Sequence, residues 1–315
     1  MLSPAQIAQF QETGYLVVED VLDAGLLERI RAEYDALLDG LCLDWIGKER
    51  LAPEVMDLDF EGRLIEAYKA GCDWFQPMDI SLPGGEIAAD TPMHFGPAVF
   101  DLVRAPAILD IVESLIGPEI TSNPIQHVRI KPPSTDLRDG EARAHVTGTD
   151  WHQDRAVAHE EADQTDMVTV WVAITDATPE NGCLQVQPSG KVSMLPHCDK
   201  RQTSIADGFI DESAGEPLPV KAGGIVLFHP LVPHGSLENH TDGIRWSFDL
   251  RYNRSDQPTG RSHFPQFVAR SKAAPETELT DWRVWRQLWE EARARLAPQP
   301  HIPIHRWTSD APHCA

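Results

Sequence analysis

The first part of the chain shows apolar residues at helical spacing. Segment 3–14 has the serine, proline and glutamine of an N-cap and capping box, and Gly14 predicts its end. Asp23 is placed to cap a second helix with an apolar face formed by Leu26, Leu27, Ile30, Tyr34, Leu37, Leu38 and Leu41. A third helix is predicted over about 106–116. We therefore expect a helical scaffold over about residues 1–120.

From residue 124 the pattern changes to short β-rich runs that are separated by turns. Each run is rich in β-branched or aromatic residues, and the runs are 125–131, 166–175, 183–187, 225–229 and 244–252. Short strands at this spacing are typical of an antiparallel sandwich or jelly-roll. The sequence thus predicts a mainly β fold with flanking helices, in which a double-stranded β-helix (a cupin-like jelly-roll) occupies about residues 121–255.

Two later segments have a different character. The insert 198–217 is too polar for a core strand, so we expect a loop, and Gly208 and Gly215 would let it move as a lid over a site. A helix is predicted over about 280–296, with an apolar face of Trp282, Trp285, Leu288, Trp289 and Ala292. We expect it to belong to a C-terminal helical extension over about 256–315 of one single domain.

Charge and cysteine content narrow the function classes. The 315 residues carry 27 Lys and Arg against 49 Asp and Glu, a net charge of −22 that disfavours nucleic-acid and membrane partners. The N-terminus lacks the basic and apolar regions of a signal peptide, which predicts a cytoplasmic protein. The five cysteines include no C-x-x-C pair, so we expect reduced thiols. The expected partner is a small-molecule substrate, and the expected state is a monomer or homodimer.

A metal site is suggested by the sequence WHQD at 151–154. On an extended segment, His152 and Asp154 project from the same face and could bind one ion. Segment 223–236 offers a third ligand, His229 or His234, which would enter from across the barrel. Two imidazoles and one carboxylate form the facial triad of non-haem Fe(II), although Zn(II) and Mn(II) accept the same ligands.

Arg245 follows His234 by 11 residues, at the start of the next predicted strand. If the two strands formed a hairpin, its guanidinium would lie beside the metal. The planar fork of arginine matches a carboxylate, which makes Arg245 a candidate co-substrate anchor.

The chain resembles the phytanoyl-CoA dioxygenase-like family of Fe(II)/2-oxoglutarate oxygenases, which includes ectoine hydroxylase-like enzymes. The resemblance covers roughly residues 10–255 and is most specific in KPP, WHQD and two longer segments, at 131–133, 151–154, 168–191 and 228–252. It implies that the cofactor is Fe(II), that the co-substrates are 2-oxoglutarate and O2, and that the iron ligands are His152, Asp154 and His234. It also implies co-substrate contacts from Arg245, Ser236, His127 and Trp171.

The resemblance implies oxidation of a small metabolite, most simply its hydroxylation, with release of succinate and CO2. Halogenating relatives have a small residue in place of the carboxylate, so Asp154 favours hydroxylation or desaturation. Epimerisation, ring chemistry and a catalytically idle binding protein are alternatives, whereas Gly-rich phosphate loops are absent from the sequence. Substrate contacts are expected from Gln126, Arg129, Trp151, Arg155 and Arg251.

Overall fold

Antiparallel β-sheets form the centre of the protein, and the computed structural model describes residues 1–300 and 304–314. The strands are β1 (Tyr15–Val18), β2 (Ile120–Lys131), β3 (Thr149–His152), β4 (Met167–Ala173), β5 (Leu184–Val186), β6 (His197–Asp199), β7 (Thr203–Ile205), β8 (Glu216–Leu218), β9 (Ile225–Phe228), β10 (His234–Ser236), β11 (Arg245–Arg254) and β12 (Phe267–Arg270). The major sheet has the order β1-β9-β4-β11-β2-β12, and the minor sheet has the order β3-β10-β5-β8. β6 and β7 form a separate hairpin.

The helices are α1 (Pro4–Thr13), α2 (Ala24–Gly47), α3 (Phe60–Lys69), α4 (Phe75–Met78), α5 (Pro97–Val103), α6 (Pro106–Ile116) and α7 (Trp282–Leu296). In the chain, α1 to α6 come before β2, and α7 comes after β12. The first two begin where the sequence predicts. Ser3 and Gln6 form a capping box, and the Asp23 carboxylate accepts the backbone N–H of Leu26. None of the helices among the described residues is long and apolar enough to cross a bilayer.

Successive side chains on the central strands of the major sheet point to opposite sides, so the sheet has two different faces. On β11, Trp246, Phe248, Leu250 and Tyr252 join the core shared with the helices. The intervening residues Arg245, Ser247, Asp249 and Arg251 are also buried, but they project from the opposite face. On β4, Trp171 belongs to a second apolar cluster that contains Leu184 and Val186 of the minor sheet. The polar site therefore lies on the face of the major sheet turned away from the helices.

The predicted jelly-roll core with flanking helices is confirmed, with one local error. The insert 198–217 is not free of strands, because it contributes to the β6–β7 hairpin and includes the first two residues of β8. Its backbone pairs locally, and the hairpin also buries Cys198 and Ile205, which the high polarity of the whole segment conceals. Its motion as a lid stays a prediction.

The expectation that all cysteines are reduced is also wrong. Cys198 of β6 forms a disulfide with Cys314, 116 residues later in the chain. Cys42, Cys72 and Cys183 are free and buried. The spacing of the cysteines could not reveal this pair, since the two residues meet only after the C-terminal segment has folded back on the hairpin.

Candidate metal centre and co-substrate pocket

Three residues with metal-binding side chains meet where β3 and β10 lie side by side. His152 ends β3 and His234 begins β10, and the two residues are directly opposite in the antiparallel pair. Asp154 follows β3 at the start of a 3-10 turn, residues 154–157. His234 therefore enters from the adjacent strand of the same sheet and not from across the barrel, as the sequence had suggested.

The donor atoms of this triad converge on one point. Nε2 of His152 lies 3.6 Å from Oδ1 of Asp154, and Nε2 of His234 lies 3.9 Å from Oδ2. The donor atoms all lie within 4.8 Å of one another. His229, the alternative ligand, lies outside this cluster, where its Nδ1 accepts the backbone N–H of Leu231.

The hydrogen bonds of both imidazoles suit a metal ion. Nδ1 of His152 donates to the carbonyl of Asp150 at 2.9 Å, and Nδ1 of His234 donates to that of Val232 at 3.0 Å. These bonds select the tautomer with a free lone pair on Nε2, which is the usual arrangement of metal-binding histidines. Burial, reinforced by His152, lowers the pKa of His234 to about 4, so this imidazole is neutral at neutral pH. The donor set fits a divalent ion.

Two side chains hold the carboxylate of Asp154. Arg251 donates to its Oδ1, and the hydroxyl of Thr169 donates to Oδ2 at 2.6 Å. Burial alone would raise the pKa of this carboxyl, but the charge of Arg251 holds it well below its usual value. Asp154 is therefore ionised, as a metal ligand must be.

Gln153, between the ligands, is a structural residue that the sequence did not single out. Its side-chain amide donates to the carbonyls of Ser193 and Leu231, at 3.2 and 2.8 Å, and accepts the N–H of Leu195 at 2.7 Å. Its backbone N–H donates to Nε2 of His197 at 3.1 Å. These bonds fix the turn that presents Asp154.

Arg245 lies beside the triad in a small pocket between the two sheets. It is fully buried, its guanidinium carbon lies 5.3 Å above the ring of Trp171, and it donates to the carbonyl of Gly182 and the hydroxyl of Ser247. Burial, with the charge of Arg129, lowers its pKa to about 9. The strand of Arg245 pairs with β2 and β4 and forms no hairpin with that of His234, so the two residues face each other across the sandwich.

Lys131, from the KPP segment, is a second buried cation in this region. It lies directly opposite Arg245 on β2 and is also fully buried. Its ammonium group donates to the hydroxyl of Ser236 at 2.6 Å and to the carbonyl of Leu237 at 2.7 Å. Among the described residues, no carboxylate forms an ion pair with either cation, so the pocket favours an anion.

Ser236 has a defined hydrogen-bond role as a result. Its oxygen accepts bonds from Lys131 and from the backbone N–H of Thr149 at 2.9 Å. Both lone pairs are then used, and the hydroxyl proton is left to donate into the pocket. The indole N–H of Trp171 is buried there and has no hydrogen-bond partner among the described residues.

An open cleft leads from His152 to the surface. It is lined by Arg129, Thr149 and Val157, by residues 142–145 and by residues 201–203. Residues 142–145 lie in the chain between KPP and WHQD, and residues 201–203 belong to the β6–β7 hairpin or its turn. No Asp or Glu of the described residues lines this cleft.

The remaining residues selected from the sequence lie elsewhere. Gln126 donates to the carbonyl of Ile80, and Nδ1 of His127 lies 2.9 Å from Asp79. Trp151 packs against Gly215, and Arg155 donates to the carbonyls of Ala162 and Thr165. Arg251 contacts Asp154. Of the five expected substrate contacts, only Arg129 lines the cleft. The side chains of the other four point elsewhere, because of the alternating direction of side chains along a strand or because of a local turn in the backbone.

Comparisons with known proteins identify the family of the chain. The family model for phytanoyl-CoA dioxygenase matches residues 10–247. A probable phytanoyl-CoA dioxygenase of Caenorhabditis elegans is 24% identical over 81% of this chain and 77% of its own. A methylphosphonate hydroxylase of Gimesia maris is 33% identical over 110 residues, which are 35% of this chain and 42% of its own.

Solved structures share the fold. The non-haem monooxygenase ThoJ aligns with a TM-score of 0.54 and 22% identity over 93% of this chain and 99% of its own. EvdO2 from Micromonospora carbonacea aligns with a TM-score of 0.53 and 20% identity over 81% and 91%. Because the family match spans most of the sequence, the chain belongs to the phytanoyl-CoA dioxygenase family and is an Fe(II)- and 2-oxoglutarate-dependent oxidoreductase.

Proposed function

We propose that the protein hydroxylates a small molecule and that His152, Asp154 and His234 hold its Fe(II). When bound, the iron couples the oxidative decarboxylation of 2-oxoglutarate by O2 to oxidation of the substrate, with succinate and CO2 as products. The observation that carries the proposal is the buried pair of cations beside a complete triad, Arg245 and Lys131, which have no carboxylate partner among the described residues.

The co-substrate is proposed to bind with its distal carboxylate at Arg245. The guanidinium fork and the outward hydroxyl proton of Ser236 supply donors to that carboxylate. The N–H of Trp171, which has no partner in the described part of the chain, is a further donor in the same pocket. Bound 2-oxoglutarate, a dianion, would offset the repulsion between Arg245 and Lys131, which are directly opposite each other on neighbouring strands.

The substrate is proposed to enter by the cleft that opens beside His152. Arg129, Arg143 and Arg201 give its wall three guanidinium groups, although each has an acidic partner behind it. Arg201 has the weakest ion pair of the three, because its side chain is 59% exposed and the carboxylate oxygen of its partner Asp150 is 3.8 Å away. We infer a small substrate with an anionic group, which is also the character of the compound named for the methylphosphonate hydroxylase.

Succinate release tests this function directly. The protein is incubated with Fe(II), 2-oxoglutarate and each member of a panel of small anionic, zwitterionic and neutral metabolites. The mass of each product is measured by mass spectrometry. We expect substrate-stimulated succinate release together with gain of one oxygen atom, and loss of both in His234→Ala. Stimulated succinate release with loss of two hydrogens, or with no mass change, would replace hydroxylation by desaturation or epimerisation.

A further inference from the structure

The C-terminal segment contacts residues 153–158, which we call the metal-binding turn because they include the proposed ligand Asp154. Residues 304–314, which we call the C-terminal strap, end on the β6–β7 hairpin, where Cys314 is bonded to Cys198. Cys198 is fully buried, whereas Cys314 is partly exposed. A second link joins the strap to the same hairpin, since Nε2 of His305 lies 3.5 Å from the Asp199 carboxylate.

The strap contacts the turn immediately after the ligand Asp154. The indole N–H of Trp307 donates to the carbonyl of Ala156 at 2.9 Å. Arg306 donates to the carbonyl of Ala158 at 3.1 Å, and its guanidinium also pairs with both carboxylate oxygens of Asp163. These bonds satisfy backbone carbonyls of the turn that the 3-10 geometry leaves open.

The strap also reaches the residue between the two ligands, through His197. The ring of Trp307 lies 5.2 Å from that of His197, at an angle of 33°. Nδ1 of His197 donates to the carbonyl of Leu195 at 2.8 Å, so that Nε2 is an acceptor, and it takes the N–H of Gln153 at 3.1 Å. A continuous series of contacts thus connects Trp307, His197 and Gln153.

We propose that the strap, fastened by the Cys198–Cys314 disulfide, positions the metal-binding turn, with Trp307 and His197 as positioning residues. The inference rests on the metal site proposed above. When the disulfide is broken, the strap loses its fastening, the turn that presents Asp154 becomes less ordered, and the ion binds more weakly. The thiol state of one cysteine pair thereby controls how well the enzyme retains its metal.

The chemical step is an exchange with a dithiol reductant. A thiolate of the reductant attacks the sulfur of Cys314, the less buried residue of the pair, and Cys198 leaves as a thiolate that takes up a proton. The second thiol of the reductant then displaces Cys314, so the reductant becomes a disulfide and the protein gains two electrons and two protons. The free cysteines are Cys42, Cys72 and Cys183, so the thiol count of the unfolded chain rises from three to five.

The test measures Mn(II) binding to the apo-protein by electron paramagnetic resonance of the free ion. Mn(II) is chosen because soft thiolates are poor ligands for it, so the reduced cysteines and His313 do not compete with the triad. We expect the dissociation constant to rise about tenfold on reduction with dithiothreitol, the low end of the 10- to 100-fold effects of residues that orient metal ligands. Thiol counting under denaturing conditions establishes the redox state of each sample.

Variants separate positioning from general stability. Cys314→Ser and Trp307→Ala should weaken Mn(II) binding about as much as reduction, and reduction should have no further effect in Cys314→Ser. His197→Gln keeps an acceptor near the position of Nε2 and should bind Mn(II) like the parent, whereas His197→Leu should not. Trp282→Ala removes another partly buried indole, on helix α7, where it packs against the core shared with the helices; it is the matched control for Trp307→Ala and should leave the affinity unchanged.

The outcomes are decisive for both proposals. His234→Ala must abolish the high-affinity Mn(II) site, and its persistence would overturn the proposed metal centre itself. An unchanged Mn(II) affinity in reduced parent, in Cys314→Ser and in His197→Leu would overturn the role of the strap while leaving the metal centre intact. We expect three free thiols in the protein before reduction. Five free thiols would mean that the disulfide is absent and would overturn the proposal.

Discussion

Arg251 donates a hydrogen bond to Oδ1 of Asp154, the carboxylate oxygen that also lies 3.6 Å from Nε2 of His152. The side chains of Arg251 and Asp154 are 2% and 1% exposed. Arg251 also donates to the carbonyl of Ile125 and lies 3.7 Å from Asp249. The arginine expected to touch the substrate therefore contacts the proposed metal ligand instead, and it keeps this buried carboxylate ionised without a bound ion.

Replacement of Arg251 by Met should destabilise the apo-protein by about 3 kcal/mol, because a buried carboxylate then lacks its partner. The pKa of Asp154 should rise, so that Mn(II) binding is lost at a higher pH than in the parent. Urea unfolding and Mn(II) titrations over a pH series measure the two effects. Arg251→Lys, which retains the charge, should recover part of both. An unaltered pH dependence in Arg251→Met would contradict the assigned role.

Replacement of Arg245 should weaken the binding of 2-oxoglutarate and leave the metal in place. Arg245→Ala removes hydrogen bonds to a charged group, which are worth about 1.5–3 kcal/mol. Arg245→Lys keeps a charge without the fork and should have a smaller effect in the same direction. The KM for 2-oxoglutarate is measured by succinate release, with Mn(II) affinity as the control. If KM stayed unchanged in Arg245→Ala, the carboxylate would have to bind at Lys131 or Arg129.

Lys131→Met should separate stability from co-substrate binding. Burial, with the charges of Arg245 and Arg129, holds the pKa of Lys131 well below its usual value, so an ammonium group at this position is costly in the apo-protein. We expect the apo-variant to unfold at a higher urea concentration than the parent. The KM for 2-oxoglutarate should rise roughly tenfold, since Ser236 loses one of the two donors that orient its hydroxyl. A lower apo-stability would indicate that Lys131 is mainly structural.

Sequence patterns were informative where a local rule determines the structure. The caps at Ser3 and Asp23 and the alternation along β4 and β11 depend on neighbouring residues, so the first two helices and the central strands could be predicted. The spacing of His152 and Asp154 indicated a metal site for the same reason. Two ligands two residues apart are a local feature of one extended segment.

Features that depend on strand pairing could not be predicted in this way. Nothing in the spacing of His152 and His234 shows that they are opposite each other on adjacent strands, or that Arg245 faces them from the other sheet. The same limit applies to Arg251, which reaches Asp154 across 97 residues, and to the pairing of Cys198 with Cys314. The burial of Lys131 had one local signal, the alternation of β2, which places its side chain on the same face as Arg129.

Acidification should destabilise the apo-protein between pH 6.5 and about 4, and His197 should account for part of the loss. Burial lowers the pKa of both His197 and His234 to about 4, whereas an unfolded chain has values near 6.5. Over this interval the unfolded state binds more protons than the native state, so stability falls as the pH falls. Each such histidine contributes a slope of about 1.4 kcal/mol per pH unit, and about 3 kcal/mol at most over the whole interval.

Urea unfolding at a series of pH values gives this slope directly. In His197→Gln the slope should decrease by the contribution of one proton, because glutamine does not titrate, while the acceptor for the N–H of Gln153 is retained. Mn(II) should reduce the loss of stability at low pH, since it binds only the neutral form of His234. An identical slope in His197→Gln and the parent would mean that His197 is protonated in the native state. Its Nε2 could then not accept the bond from Gln153. The proposed connection between the strap and the metal-binding turn would be lost.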